Sequence, residues 1–128
     1  MSRQAQFNVG GVPEHFNLPW KKAIEENRFA AHSIDISWKD YHGGTGAMTK
    51  ALREGELDIA ILLTEGIIAD IHRGNQSKIV QFYVKSPLRW GVHVGAQSNF
   101  KTVADLENTR AAISRYGSGS HLMAYVNA

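Results

Sequence analysis

Apolar residues along this chain switch repeatedly between two spacings. Phe7 and Val9 alternate with polar neighbours as in a short strand, which runs into Gly10-Gly11-Val12-Pro13, a loop sequence. From about Leu18 the spacing turns helical, carrying Trp20, Ala23, Ile24 and Phe29 to one side. Alternation returns between His32 and Trp38, where Ile34, Ile36 and Trp38 define a strand with one exposed face. Next come Gly43, Gly44 and Gly46, a flexible loop in which Thr45 is placed to cap a helix with Ala47, Met48, Ala51 and Leu52 on one face. Gly55 stops that helix, and the run from Leu57 to Leu63, interrupted only by Asp58, reads as a strand buried on both faces. Glu65-Gly66 then opens a third helix, striped by Ile67, Ile68 and Ile71 and closed by Gly74.

Three strand–loop–helix units predict an α/β fold, a three-layer α/β/α lobe on a mostly parallel sheet with right-handed crossovers. Ligands of such sheets sit at the rim formed by the carboxyl ends of the strands. Further along, residues 79–84 and 90–94 read as strands separated by Ser86-Pro87, and residues 111–114 as a third. Thr102, with Asp105 three positions on, caps a short helix over residues 103–107. Arg115-Tyr116-Gly117-Ser118-Gly119-Ser120-His121 is a second glycine-serine loop, and Leu122, Met123, Tyr125 and Val126 open a helix after it.

Composition narrows the classes. A chain of 128 residues with 43% hydrophobic content forms a core of ordinary domain size. Its 14 basic and 12 acidic residues are interspersed, which argues against a nucleic-acid partner. The absence of cysteine removes disulfides, thiolate catalysis and thiolate metal sites. The polar opening, Met1-Ser2-Arg3-Gln4-Ala5-Gln6, carries neither a signal core nor a membrane span, so the expected location is cytoplasmic. A periplasmic or lipid-anchored protein stripped of its signal peptide is the alternative.

Several motifs bear on chemistry. The loop at residues 43–46 reads either as backbone and hydroxyl donors around an oxyanion or as a plain turn before a helix. Residues 117–120 offer the same donors, with Arg115 near enough to add a charge-assisted bond or to face water. Gly44-Thr45-Gly46 meets Thr49 where a dinucleotide fingerprint needs glycine, and no phosphate-binding P-loop or nucleophile elbow is present. None of the six histidines is paired at helical ligand spacing, so no metal is expected. His32, His72 and His93 read as surface or strand residues, whereas His15, His42 and His121 lie beside rim loops and can hydrogen-bond a ligand. Trp20 and Trp38 read as core, and Trp90, after the Pro87 break, as the tryptophan nearest to a ligand. Glu65 either complements the helix dipole or accepts from an amine or hydroxyl of a ligand.

Gly10-Gly11-Val12-Pro13-Glu14-His15-Phe16, Gly43-Gly44-Thr45-Gly46, Gly55-Glu56-Leu57-Asp58-Ile59-Ala60, Leu63-Thr64-Glu65-Gly66, Ser86-Pro87-Leu88-Arg89-Trp90 and Gly117-Ser118-Gly119-Ser120 occur in one order. That ordered set resembles the type II periplasmic-binding-protein-like domains, in the group that binds sulfonates, nitrate or thiamine-pyrimidine precursors. The resemblance runs from about residue 6 to the end, and is nearest to stand-alone members without an export signal. It implies two lobes closing on a ligand, with residues 1–88 in the first lobe and residues 89–128 beginning a second, as in an amino-terminal fragment. Ligand contacts carry over to Pro13, Glu14 and His15, to Gly44, Thr45 and Gly46, to Thr64 and Glu65, and to Ser118, Gly119 and Ser120. Implied is a small-molecule binding protein, for an anionic or pyrimidine-like ligand, in transport with an ABC transporter permease or in sensing. The alternative is an enzyme of the same fold in thiamine-pyrimidine or menaquinone-type metabolism, although the cysteine-rich motif of the former is absent. Neither catalytic residues nor a cofactor are implied. Unpaired strand edges after Trp90 are expected to invite self-association.

Overall fold

The computed structural model describes residues 4–128; residues 1–3, at the polar opening of the chain, lie outside the described residues. Three parallel strands, β1 (Ala5–Gly11), β2 (Ile34–Asp40) and β3 (Ile59–Ile61), form a sheet in the order β2-β1-β3. Between and after them come α1 (Leu18–Glu25), α2 (Gly44–Arg53) and α3 (Thr64–His72), and a further helix, α4 (Gly119–Val126), closes the chain. Because all strands run one way, the loops that follow them share one rim. Among the described residues no helix is long and apolar enough to cross a membrane.

Alternate residues of β1 face opposite sides of the sheet. On one side Tyr41, Met48, Ala51 and Leu57 form the core under α2, joined by Val12, Ala60 and Leu62. On the other, Trp38 stacks toward Trp20 of α1 at 6.0 Å, and Trp20 in turn lies 5.7 Å from Phe29. Helices therefore cover both faces, giving the three layers expected. Asp40 at the end of β2 ties the α1 side together, accepting from Lys21 and from the Trp38 indole, each at 2.8 Å. The hydrogen bond from Lys21 leads in holding the Asp40 carboxyl below the usual range.

Gly10 and Gly11 are not a loop but the last two residues of β1, each laddered to both neighbouring strands. Packing explains them better than flexibility does. A Cβ on Gly10 would stand 2.7 Å from Leu57 Cδ1 and 2.9 Å from the Tyr41 ring, and one on Gly11 2.6 Å from Asn17 Nδ2 and 2.8 Å from the Trp38 ring. Glycine lets both core layers press directly on the central strand.

Thr45 does not cap α2. Gly43 holds the cap position, and Thr45 is buried one turn inside, its hydroxyl 3.5 Å from the Leu63 amide. β3 is shorter than the apolar run from Leu57 to Leu63, and it is half-buried, because it pairs only with β1 among the described residues. Leu57 packs into the core before the strand begins, while Asp58 accepts the Asn8 amide at 2.8 Å and sets the register of β3. Along α3, Ile67 is buried but Ile68 is exposed, which narrows the stripe read from three isoleucines.

Residues 79–84, 90–94 and 111–114 are not strands in the structure. Their composition suits strands, but a strand is defined by its ladder, and no partner backbone lies beside them among the described residues. Val80, Phe82, Val84, Leu88, Val92 and Val94 are left exposed. The helix expected at residues 103–107 is a 3-10 turn, Val103–Leu106, with the Thr102–Asp105 capping box in place. α4 starts at Gly119, inside the stretch read as loop, because the Ser118 hydroxyl caps it by accepting the His121 amide at 3.2 Å.

Candidate functional site

The strand order places a topological switch at the rim, since the chain leaves β1 for α1 on one face and β3 for α3 on the other. Pro13, Glu14 and His15 follow β1 there and are exposed, while Thr64 and Glu65 follow β3. Glu65 is half-buried, and its Oε1 is enclosed without a hydrogen-bond partner among the described residues. Asn17, fully buried beside this loop, donates from Nδ2 to the Val12 carbonyl at 2.7 Å and leaves Oδ1 unpartnered.

The second group of expected residues comes together where α4 meets α2. Gly46 and Gly117 touch backbone to backbone; a Cβ on Gly46 would stand 3.4 Å from the Gly117 carbonyl oxygen. Gly44 takes a positive φ of 64°, and the Arg115 guanidinium lies directly against it. This puts a permanent cation beside the first turn of α2, whose free amides already carry partial positive charge. Gly119 is pressed between the Leu63 side chain and the Trp90 indole, so it serves packing as well as approach. Ser118 and Ser120 join hydroxyls at 2.9 Å, and Ser120 Oγ accepts the Ser114 amide at 3.0 Å.

Beside this junction runs a cleft of about 210 Å³ between α2, α3 and α4. Thr45, Gly46, Gly117, Ser118 and Gly119 line its rim end, and Leu63, Leu122 and Tyr125 give it apolar walls. Arg73 stands at its α3 side, 3.6 Å from buried Asp70. Of the expected residues, Thr45, Gly46, Ser118 and Gly119 line the cleft, while Gly44 and Ser120 flank it. Pro13, Glu14, His15, Thr64 and Glu65 share the rim without lining the cleft.

Sequence reasoning named Arg115, His121 and Trp90 only as neighbours, and the structure seats all three on the residue 117–120 loop. It missed Leu63, Leu122 and Tyr125. Their signal was the glycine loop itself, since apolar residues one or two turns beyond a rim loop become the walls of whatever that loop encloses. The described residues hold no cluster of three metal-ligating side chains.

A solved structure shares this architecture: the conserved Candida albicans CA3427 gene product, described as defining a new family of proteins exhibiting the generic periplasmic binding protein structural fold. It matches with a TM-score of 0.82 and 38% identity over 94% of this chain, which spans 40% of that one. No protein-family model matches the chain, and no curated protein does. The chain thus has the α/β fold of the periplasmic binding proteins, as its motifs led us to expect.

Proposed function

We propose that this chain binds a small anionic molecule, holding a sulfonate, phosphate or carboxylate where the first turns of α2 and α4 meet. The observation that carries the reading is the Arg115 guanidinium lying on Gly44. A cation beside the positive end of a helix is repelled, and an oxyanion set between them turns that repulsion into two attractions. Resemblance to substrate-binding components supports a role in transport, handing the ligand to an ABC transporter permease, or in sensing by lobe closure.

Native mass spectrometry of the full-length protein as purified is expected to reveal a bound acid. Calorimetry with that acid then tests the site. Arg115→Ala should weaken binding roughly five- to thirtyfold, about 1–2 kcal/mol, because the guanidinium is partly screened by water. Unchanged affinity would place the anion elsewhere.

The exposed apolar side chains of residues 79–94 support self-association as a further part of the reading, since strand-forming segments without partners pair with one another. Sedimentation should therefore depend on concentration in the micromolar range. A strictly monomeric profile would count against it.

A further inference from the structure

We propose that His121 selects the body of the ligand, and that this body is a single flat ring bearing a hydrogen-bond acceptor. The inference rests on the anion-binding reading and adds to it the ring and the acceptor.

The tautomer of His121 follows from its contacts. Gly117 donates its backbone N–H to His121 Nδ1 at 3.1 Å, so the lone pair is on Nδ1 and the proton of the neutral ring on Nε2. The ring is also held in place from two sides. Tyr116 meets it edge-on at 5.2 Å and Tyr125 at 5.1 Å. His121 lines the cleft, and Nε2 has no hydrogen-bond partner among the described residues.

The other polar groups of that wall are already committed. Ser118 accepts from the His121 amide and shares a hydrogen bond with Ser120, and the Thr49 hydroxyl donates to the Gly46 carbonyl at 3.0 Å. Nε2–H is therefore the oriented donor this wall offers to a ligand. An acceptor on the ligand would satisfy it, and an apolar group there would leave it unpaired.

Size sets the rest. An apolar cavity of about 150 Å³ holds benzene. The cleft, at about 210 Å³, has room for one ring between Leu63, Leu122 and Tyr125, with the acidic group at the rim by Gly44 and Gly46.

Two probes of the same shape and charge isolate the acceptor: benzenesulfonate and pyridine-3-sulfonate, titrated into the full-length protein by calorimetry. The pyridine compound is expected to bind roughly two- to twelvefold tighter, the range of one neutral hydrogen bond. His121→Asn keeps an oxygen where Nδ1 stood, so it retains the Gly117 contact and loses the donor. In this variant the preference should vanish while benzenesulfonate affinity stays within about twofold. His121→Gln keeps an amide nitrogen near the Nε2 position but frees Gly117, so both probes should weaken. Arg115→Ala should weaken both equally and leave the preference intact.

Equal affinity of the wild type for the two probes, or a preference that survives in His121→Asn, overturns the role of His121 and leaves the anion site standing. Failure of the wild type to bind either probe overturns both. Nitrogen-15 NMR of the wild-type imidazole decides the matter without a variant. The Nε2 signal should report the Nε2–H tautomer and move with pyridine-3-sulfonate but not with benzenesulfonate; an Nδ1–H tautomer or an unmoved signal overturns the proposal.

Discussion

Gly44→Val is expected to reduce anion affinity roughly ten- to hundredfold or more while leaving most of the fold in place. Two effects combine at this residue. Its φ of 64° lies where a β-branched side chain is strained, at a cost of about 1–3 kcal/mol in stability. Its new Cβ would also fall on the Arg115 guanidinium, driving the cation away from the α2 amides. Losing a charge-assisted hydrogen bond of about 1.5–3 kcal/mol accounts for the expected loss of affinity. Gly55→Val is the control, because Gly55 has a similar φ of 72° with nothing near the added Cβ. Denaturant midpoints should fall in both variants, whereas calorimetry should find weakened binding in Gly44→Val alone. Normal binding by Gly44→Val would remove the rim site from consideration.

Asp70→Ala is expected to cost about 3 kcal/mol of stability, the lower end for breaking a buried ion pair because Arg53 reaches water. Asp70 is buried on α3 and pairs with Arg53 of α2, accepts from Asn75 Nδ2 at 2.6 Å, and has Arg73 at 3.6 Å. Asn75 in turn donates to the Thr49 carbonyl at 3.4 Å, so one carboxylate links α2, α3 and the turn after α3. Burial pushes the Asp70 carboxyl up, but hydrogen bonds from Asn75 and Arg53 and the charges of Arg53 and Arg73 outweigh it and hold it below its ordinary value. A lowered folded-state value means stability that is fully present above the unfolded carboxyl range near pH ~3.9 and is lost as pH falls through the folded value. Denaturation curves from pH 7 downward should show that acid-side loss in the wild type and a smaller one in Asp70→Asn. Matching pH profiles would mean that Asp70 contributes no linkage.

Much of the fold was legible because parallel α/β units write their periods plainly. Ile34, Ile36 and Trp38 alternate, Met48, Ala51 and Leu52 recur at helical spacing, and Gly55 and Gly74 mark helix ends by positive φ. Gly10 and Gly11 were misread because a glycine pair signals a turn locally, and only the arrival of Leu57, Tyr41, Asn17 and Trp38 from distant segments makes it a strand. Residues 79–84 and 90–94 failed for the opposite reason: their side chains suit a strand, but pairing belongs to the partner. At the site, glycine and serine loops were legible as donors. The docking of Arg115 on Gly44 was not, since it joins elements far apart in the chain through a contact no local pattern encodes.

The central position of β1 has a consequence during synthesis. β1 reaches β2 only across a separation of 29 residues, as in the Gln6–Asp35 contact, and β3 across 50, as in Asn8–Asp58. At about 5–20 residues per second, the strand leaves the ribosome roughly 1.5–6 s before its first partner has been made. Its two glycines are the residues least able to keep an extended backbone unaided. Alternating polar side chains, Gln6 and Asn8, give the waiting segment one wet face, which lowers its tendency to pair with another nascent chain. The residues that make β1 a good centre for the finished sheet thus also delay its commitment until Trp38 and Asp40 arrive to hold it.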